Sequence, residues 1–366
     1  MVKRITAAIL LAVLLLLSAC GEQNEAAAEN DIRPQALKAA QAYRGLLPEG
    51  EVQDMQAILD CLKEQGYAAA DVGGQYAFVH PEQVRAFFTA REDSREASCR
   101  FLRICWDGGL IDTHLNRREE EVSCRLLRVA CDGEEPMVTY DVEYPVSDCR
   151  LTDKDYLIFT CEIPDNIAES DHDGYVEPTT MLRLTPLDGT CRAWTEGLIG
   201  KIGYRGHALF TTDWKLEDMS AVSLNDLFPA LYRAETGELL SYYDNPWPTT
   251  ENNDRTLVPS EAFEALMQLY FPLSREQIQA WAVWEAGSDV YPVPIQSLHG
   301  PAQTPVPEVV QVQQNTDGTI TLTVDALFVE YATDQAFTHR VTVQPGGDGR
   351  YRLTGNEMLE VSILPS

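Results

Sequence analysis

Apolar residues recur with helical spacing in the first quarter of the chain. Met55, Ile58, Leu59 and Leu62 stand at positions i, i+3, i+4 and i+7, and Gly66 follows them. Side chains at this spacing share one face of a helix, and glycine is common just beyond a helix end. The pattern therefore predicts an amphipathic helix that ends near Gly66.

Three further helices are predicted from their start signals. Pro81 suits the first position of a helix, because proline lacks the N–H that would be left unpaired there. Ser260 is placed to cap a second helix, and the run from Ser274 to Gln277 fits the capping box of a third. The last two helices are close in sequence, so we expect them to pair.

Strands are predicted where apolar and polar residues alternate, or where short apolar runs lie between turn sequences. The alternation is clearest in the last fifty residues, where Asn-Thr-Asp-Gly and glycine-rich turns connect the runs. Short connections favour antiparallel meanders. The predicted strands cover residues 99–106, 122–131, 138–144, 156–163, 319–326 and 337–343.

This order of elements predicts an α+β fold in which helices pack on antiparallel meanders. The length of 366 residues suggests about two domains. Residues 246–259, rich in Pro, Asn, Asp and Thr, are the predicted linker between an N-terminal α+β domain at 35–245 and a C-terminal domain at 260–366. The C-terminal domain is similar in outline to cystatin-like or NTF2-like modules.

The start of the chain has the features of an export signal. Lys3 and Arg4 precede an apolar run at 5–17, which is shorter than the roughly 20 residues that cross a bilayer. Leu17-Ser18-Ala19-Cys20 resembles the lipobox of bacterial lipoproteins. We therefore expect a signal peptide at 1–19, a diacylglyceryl anchor on Cys20 and a flexible tether at 20–34. The alternative is an ordinary secretory signal with an incidental cysteine.

Charge limits the partners of the exported chain. The full sequence has 57 acidic and 28 basic residues, a formal net charge of −29, and removal of Lys3 and Arg4 with the signal peptide would leave −31. Nucleic acids and anionic lipid headgroups are bound by basic patches, so the sequence predicts that neither is a partner. Contact with the membrane is expected through the lipid anchor, and cationic or neutral ligands remain.

Eight cysteines follow Cys20, and all lie between residues 61 and 191. Outside the cytoplasm an even number permits disulfides, but eight cysteines allow 105 pairings and the sequence does not choose among them. They are alternatively small buried apolar residues in an organism that lives without oxygen. Both interpretations place them in the N-terminal domain.

Several stretches carry a family resemblance. IGYRGHALFTTDW at 202–214, VPSEAFEALMQLYFPLSREQI at 258–278, PEVVQVQQNTDGTITLTVDA at 307–326 and TDQAFTHRVTVQP at 333–345 resemble a family of uncharacterised lipoproteins from Gram-positive, largely gut-dwelling anaerobes. The resemblance implies a Gram-positive surface setting. It implies no activity and no catalytic residues, because none is assigned in the family.

An acidic stretch is a candidate calcium loop. Glu169, Asp171 and Asp173 stand at positions 1, 3 and 5 of such a loop, a glycine stands at position 6, and Glu177 stands at position 9. Position 12, however, is Thr180, where a calcium loop has a bidentate glutamate. The favoured alternative is a solvated acidic turn between strands. Apart from calcium at this loop, no cofactor is predicted.

A basic, glycine-rich stretch is a candidate anion site. The segment GLIGKIGYRG has a glycine at every third position, and Gly200, Lys201, Gly203, Arg205 and His207 could hold a phosphate or carboxylate. The spacing fits neither a Walker loop nor a dinucleotide fingerprint. A tight structural turn with close backbone packing is the favoured alternative.

Aromatic residues form a third candidate site. Trp247, Trp281, Trp284 and Tyr291 could make a stacking face for a sugar or a peptide. A spacing of three on a helix is equally what a core requires, and the core interpretation is favoured.

No catalytic signature is found. The motifs H-E-x-x-H, G-x-S-x-G and S-x-x-K do not occur, and His339 on the apolar face of its strand is predicted to be a hydrogen-bonded core residue. We therefore predict a non-catalytic, lipid-anchored protein on the extracytoplasmic face of the membrane that binds a protein, peptide or glycan. The alternatives are an extracytoplasmic hydrolase of cell-wall or glycan material and a structural component of the envelope.

Overall fold

The computed structural model describes residues 32–48, 52–74, 76–90, 95–164, 177–241, 245–295 and 304–363. The chain forms two compact units. The first comprises Met1–Leu151, Phe159–Pro178 and Leu182–Thr185, and the second comprises Thr152–Ile158, Thr179–Met181 and Pro186–Ser366. No helix in the described ranges is long and apolar enough to cross a bilayer.

The first unit contains three helices and most of a seven-stranded sheet. Two of the sheet's strands, β6 and β7, contribute residues to both units. The elements are α1 (Arg33–Tyr43), α2 (Met55–Glu64), α3 (Pro81–Thr89), β1 (Ala69–Asp71), β2 (Glu96–Ile104), β3 (Leu110–Arg118), β4 (Glu121–Ala130), β5 (Met137–Leu151), β6 (Tyr156–Cys161) and β7 (Thr179–Arg183).

The seven strands follow one another in sequence order across the sheet. The pairs from β2 to β5 are antiparallel, which confirms the predicted meander, whereas β1 pairs with β2 in parallel. The turn between β2 and β3 needs glycine at Gly109, because a Cβ there would lie 2.8 Å from the carbonyl oxygen of Val129.

Helices α1 and α2 supply the core of this unit. Asp54 caps α2 by accepting a hydrogen bond from the Ala57 N–H at 3.0 Å, and Gly66 adopts the positive φ expected beyond the helix end. The predicted amphipathic helix is confirmed. The buried core includes Ala36, Tyr43, Met55, Ile58, Leu59, Leu62, Leu102, Ile104, Leu110, Leu127 and Val129.

In the described ranges, the second unit combines four α-helices of six or more residues with two antiparallel sheets. A five-stranded sheet has the order β11, β12, β13, β14, β8, and β9 pairs with β10. The elements are α4 (Gly189–Trp194), α5 (Leu224–Thr236), α6 (Ser260–Tyr270), α7 (Arg275–Trp281), β8 (Trp214–Lys215), β9 (Arg255–Pro259), β10 (Val290–Pro294), β11 (Val306–Gln314), β12 (Ile320–Phe328), β13 (Thr333–Pro345) and β14 (Tyr351–Val361).

The predicted strands and caps of this unit are largely confirmed. β12 and β13 contain the alternating runs, and Gly318 has the positive φ that their preceding turn requires. The capping box at Ser274 is present. Ser260 is instead the first residue of its helix, and its side chain makes no cap.

An aromatic stack forms the centre of the second core. The Phe263 ring lies between Tyr291, with centroids 4.0 Å apart, and Phe228, with centroids 5.0 Å apart. These residues come from α6, β10 and α5, so the stack joins two helices to the small sheet. Trp247 packs edge-on against Phe228, at 6.0 Å.

A buried hydrogen-bond chain crosses the five-stranded sheet at His339, which is fully buried. Asn356 Oδ1 accepts from His339 Nδ1 at 2.6 Å, so Nε2 accepts from the Tyr204 hydroxyl at 2.9 Å. Asn356 also donates to the Thr212 carbonyl at 2.8 Å. The predicted role of His339 as a hydrogen-bonded core residue is confirmed.

The predicted linker at 246–259 differs from the observed boundary between the compact units. These residues lie inside the second unit, where the Leu257 N–H donates to the Pro248 carbonyl at 2.7 Å and β9 pairs with β10. Proline, asparagine and aspartate are as common in tight turns as in linkers, so the composition was ambiguous. At the start, α1 begins at Arg33, inside the predicted tether at 20–34. Apart from Ile32, the rest of that tether lies outside the described residues. The same is true of the signal peptide and of Cys20.

We predict that His339 makes stability fall as the pH decreases. Burial lowers the pKa of His339 to about 4, whereas an unfolded histidine binds its proton near pH 6.5. The neutral, buried ring contributes its full share of stability above pH 6.5. This share decreases between pH 6.5 and 4, and about 2 kcal/mol of it is lost at pH 5. Urea unfolding of His339→Gln should show lower stability at pH 7.5 but a smaller loss on going to pH 5.

His80 provides the control. It lies at the surface, and hydrogen bonds to the Lys63 carbonyl and to Glu82 raise its pKa. His80→Gln should therefore not reduce the loss on acidification. Equal losses in His339→Gln and the unaltered protein would contradict the assignment.

Candidate functional site

The second unit contains a cavity of about 540 Å³. This lies within the range of roughly 300–1,000 Å³ that is usual for small-molecule sites. Four elements contribute to its walls. The lining residues are Thr190, Ala193, Trp194, Gly197, Leu198, Lys201, Ala234, Glu235, Leu269, Tyr270, Arg350 and Tyr351.

One wall is a helical segment that runs from Gly189 to Ile202. It consists of α4, a π-helical turn at Thr195–Ile199 and a final turn at Gly200–Ile202. The Asp188 carboxylate caps the segment by accepting hydrogen bonds from the N–H groups of Thr190 and Cys191. The lining residues of this wall recur every three or four positions, so they share one face.

The π-helical turn is fixed to the five-stranded sheet. The Thr195 hydroxyl accepts from the Val309 N–H of β11 at 2.9 Å and donates to the Cys191 carbonyl at 3.1 Å. Such turns occur often at functional sites, because they interrupt the regular helical ladder. Here the turn places Gly197 and Leu198 at the cavity.

The opposite walls are two helix ends and the start of a strand. Glu235 lies in the last turn of α5, Tyr270 ends α6, and Arg350 and Tyr351 lie at the start of β14. Helix C-termini carry partial negative charge, so the cations of Lys201 and Arg350 are favourably placed near them.

The polar side of the cavity is an ion pair with an attached hydroxyl. Arg350 donates to both oxygens of Glu235 at 2.9 Å, and Tyr270 also hydrogen-bonds to this carboxylate. The Arg350 hydrogen bond lowers the pKa of Glu235, and the same bond raises the pKa of Arg350. Burial, with the Glu235 charge, raises the pKa of Tyr270 to about 12. At neutral pH this group is therefore a carboxylate, a guanidinium and a neutral phenol.

The other side of the cavity is aromatic. The rings of Trp194 and Tyr351 meet at a centroid distance of 4.6 Å with an interplanar angle of 63°. Tyr351 is 39% exposed, and Trp194 is partly buried. The arrangement offers a ring surface beside fixed donors and an acceptor, which suits recognition of a ligand that is rich in oxygen.

The structure places the predicted anion residues apart. Lys201 lines the cavity, whereas Arg205 is exposed elsewhere and His207 is half-buried. Burial lowers the pKa of His207 to about 4, so its ring is neutral at pH 7 and adds no positive charge. Within the described lining, Lys201 alone of this set reaches the cavity.

The glycines of that stretch have structural reasons. Gly203 and Gly206 adopt positive φ angles of 66° and 80°. A Cβ at Gly200 would lie 2.7 Å from the carbonyl oxygen of Thr195. These constraints agree with the favoured interpretation of a tight turn with close backbone packing.

The remaining candidates give less. Glu169, Asp171 and Asp173 of the candidate calcium loop lie outside the described residues, and Glu177 is exposed at their edge. In the described ranges, no three metal-binding side chains come together. Tyr291 is fully buried in the aromatic stack, as the core interpretation predicts.

All eight cysteines that follow Cys20 lie among the described residues, and no disulfide joins any two of them there. Cys124 and Cys161 share a hydrogen bond, which raises the pKa of Cys124, and burial adds to that shift. Six of the eight are buried, in keeping with their use as small apolar residues.

Comparison with known proteins gives one match. A family model covers residues 25–364 of this chain. The chain belongs to a family of unknown function, DUF6070. The predicted membership of an uncharacterised family is confirmed at this level. No curated protein and no solved structure matches.

The glycine constraints generate a paired prediction. Gly200→Ala should lower the free energy of unfolding by about 1–3 kcal/mol, because the new methyl group meets the Thr195 carbonyl. Gly197→Ala, three residues earlier, meets nothing within 4 Å and should be neutral or stabilising by up to about 1 kcal/mol. Urea unfolding of both variants checks this. Equal effects would show that the contact at Gly200 is not restrictive.

Proposed function

We propose that the protein is a lipid-anchored extracytoplasmic lipoprotein that binds a glycan or glycan fragment in the cavity of its second unit. The observation that carries the proposal is the exposed Trp194–Tyr351 ring surface beside the fixed Glu235–Arg350 pair. Sugar rings present apolar C–H faces and many hydroxyl groups. They can therefore stack on an aromatic ring while they exchange hydrogen bonds with a carboxylate and a guanidinium.

Charge refines the ligand class. Lys201 and Arg350 carry positive charge into the cavity, and Glu235 is the one carboxylate among its described lining residues. Since Arg350 is already paired with Glu235, Lys201 supplies the excess positive charge. Glycans that carry a carboxylate or phosphate should therefore bind more tightly than neutral ones.

The setting of this proposal comes from the start of the sequence. A charged segment, a short apolar run and the lipobox before Cys20 support export, cleavage after residue 19 and lipid anchoring. A Gram-positive cell surface would bring the cavity close to cell-wall glycans. The helices and antiparallel sheet of the second unit support a cystatin-like or NTF2-like outline, and calcium binding at 169–177 remains a prediction.

A binding role is favoured over hydrolysis. Most glycoside hydrolases use two carboxyl groups, one of them a general acid with a raised pKa. In this cavity Glu235 is held by two hydrogen bonds from Arg350, which lower its pKa. A carboxylate in this state cannot protonate a leaving group at neutral pH. We therefore propose that the protein is not an enzyme.

Thermal unfolding of the purified protein with a glycan panel tests the proposal. The panel contains chitotetraose, an oligogalacturonate and a muramic-acid-containing cell-wall fragment. A ligand at 100 times its Kd adds about 2.7 kcal/mol, which should raise the Tm by a few degrees. Tyr351→Ala should remove most of the shift, and Lys201→Gln should reduce it for the acidic glycans alone.

Lys38→Gln is the matched control, because Lys38 is an exposed cation on α1. It should leave every shift unchanged. A shift that persists when Tyr351 and Lys201 are both replaced would place the ligand elsewhere. A panel without any shift would reject glycan binding.

A further inference from the structure

A second cavity, of about 1,280 Å³, lies wholly within the first unit. The end of α3, the turn between β3 and β4 and the last part of β5 surround it. Its volume exceeds the roughly 1,000 Å³ that a small-molecule site normally reaches, so it has room for an extended ligand.

Arg117 is the unusual residue of this cavity. Its side chain is only 5% exposed, and its guanidinium lies 5.2 Å from the centre of the Phe87 ring. One nitrogen, Nη1, donates weakly to the Phe87 carbonyl at 3.4 Å, but Nη2 has no hydrogen-bond partner among the described residues. A buried charged donor without a partner costs free energy, and an oxyanion of a ligand would supply that partner.

Besides Arg117, the wall carries three arginines and four carboxylates, so the cavity as a whole has equal numbers of positive and negative groups. Arg95 pairs with Glu119 at 3.6 Å, and Arg150 pairs with Asp148. Arg118, Glu120 and Glu121 also line the cavity and are exposed. A ligand with negative charge alone would meet these carboxylates. A ligand with one carboxylate and one ammonium group would match the cations and the acids together.

The ladder between β4 and β5 ends at this cavity. The pairing of β4 with β5 ends at Ser123 and Pro145, and beyond that pair residues 121–122 of β4 and 146–150 of β5 line the cavity. A ladder that ends between two strands is a place where an extended chain can add main-chain hydrogen bonds. Phe88, Val122 and Val146 provide apolar surface for side chains nearby.

From these observations we propose that the cavity binds a peptide, with its C-terminal carboxylate on Arg117 and its ammonium group near Glu120 and Glu121. The guanidinium matches the planar carboxylate, and the end of the ladder between β4 and β5 accepts the extended main chain. The site is independent of the glycan cavity, because each cavity lies within its own unit.

Isothermal titration calorimetry of the purified full chain tests the proposal. The probe is the tetrapeptide Ala-Ala-Ala-Leu with free termini, compared with its C-terminal amide, its N-acetyl form, free leucine and inorganic phosphate. The free peptide should bind at least tenfold more tightly than the amide, and more tightly than the N-acetyl form. Leucine and phosphate should bind at least tenfold more weakly than the peptide.

Variants locate the binding. Arg117→Gln should weaken peptide binding at least tenfold. Because Arg117 is buried, its replacement can also lower the Tm, so a second variant is needed. Arg118→Gln, at the exposed neighbouring position in the cavity wall, should weaken peptide binding several-fold with an unchanged Tm. Lys201→Gln, in the glycan cavity, should leave peptide binding unchanged, whereas Arg118→Gln should leave any glycan shift unchanged.

Three results would overturn the proposal. The first is equal affinity for the acid and the amide, which would mean that the carboxylate is not recognised. The second is the absence of measurable peptide binding at millimolar concentration. The third is tighter binding of phosphate or leucine than of the peptide, which would assign the cavity to a simple anion or an amino acid.

Discussion

The helical wall of the cavity in the second unit depends on the hydrogen-bond chain through His339. Tyr204 donates to the ring, the ring donates to Asn356, and Asn356 donates to the Thr212 carbonyl. These contacts attach residues 202–214 to the five-stranded sheet. Because the helical wall of the cavity ends at Ile202, the chain fixes one end of that wall, and the Thr195 contact to β11 fixes its middle.

Both cavities form where regular structure ends. The cavity of the second unit is built at the last turns of α5 and α6 and at an interruption of the hydrogen-bond ladder in a helix. The cavity of the first unit lies where the pairing of β4 with β5 stops. Where several elements end together, a concave surface remains, and polar groups there can lack a hydrogen-bond partner within the fold. Ligands complete the packing and the hydrogen bonds at such places.

Much of the fold was accessible from sequence, and the cavities were not. Periodicity identified α2, β12 and β13, because each buries one face against a large core. Glu235, Tyr270 and Arg350 meet only after tertiary folding, and nothing in the local pattern around them differs from an ordinary helix end or turn. The glycines at 197–206 indicated a tight turn, so the helical face that carries Trp194 and Lys201 was not predicted. The signal for this face is the spacing of three and four residues between the lining positions from Thr190 to Lys201.

The π-helical turn at Thr195–Ile199 also has a consequence for how the cavity can change over time. Such a turn is equivalent to one extra residue in an α-helix, and each residue of an α-helix turns the chain by about 100°. Loss of one residue within the turn would therefore restore a regular α-helix and leave Lys201 on the same face as Trp194. The length of this wall can thus change by one codon while the residues that line the cavity keep their face.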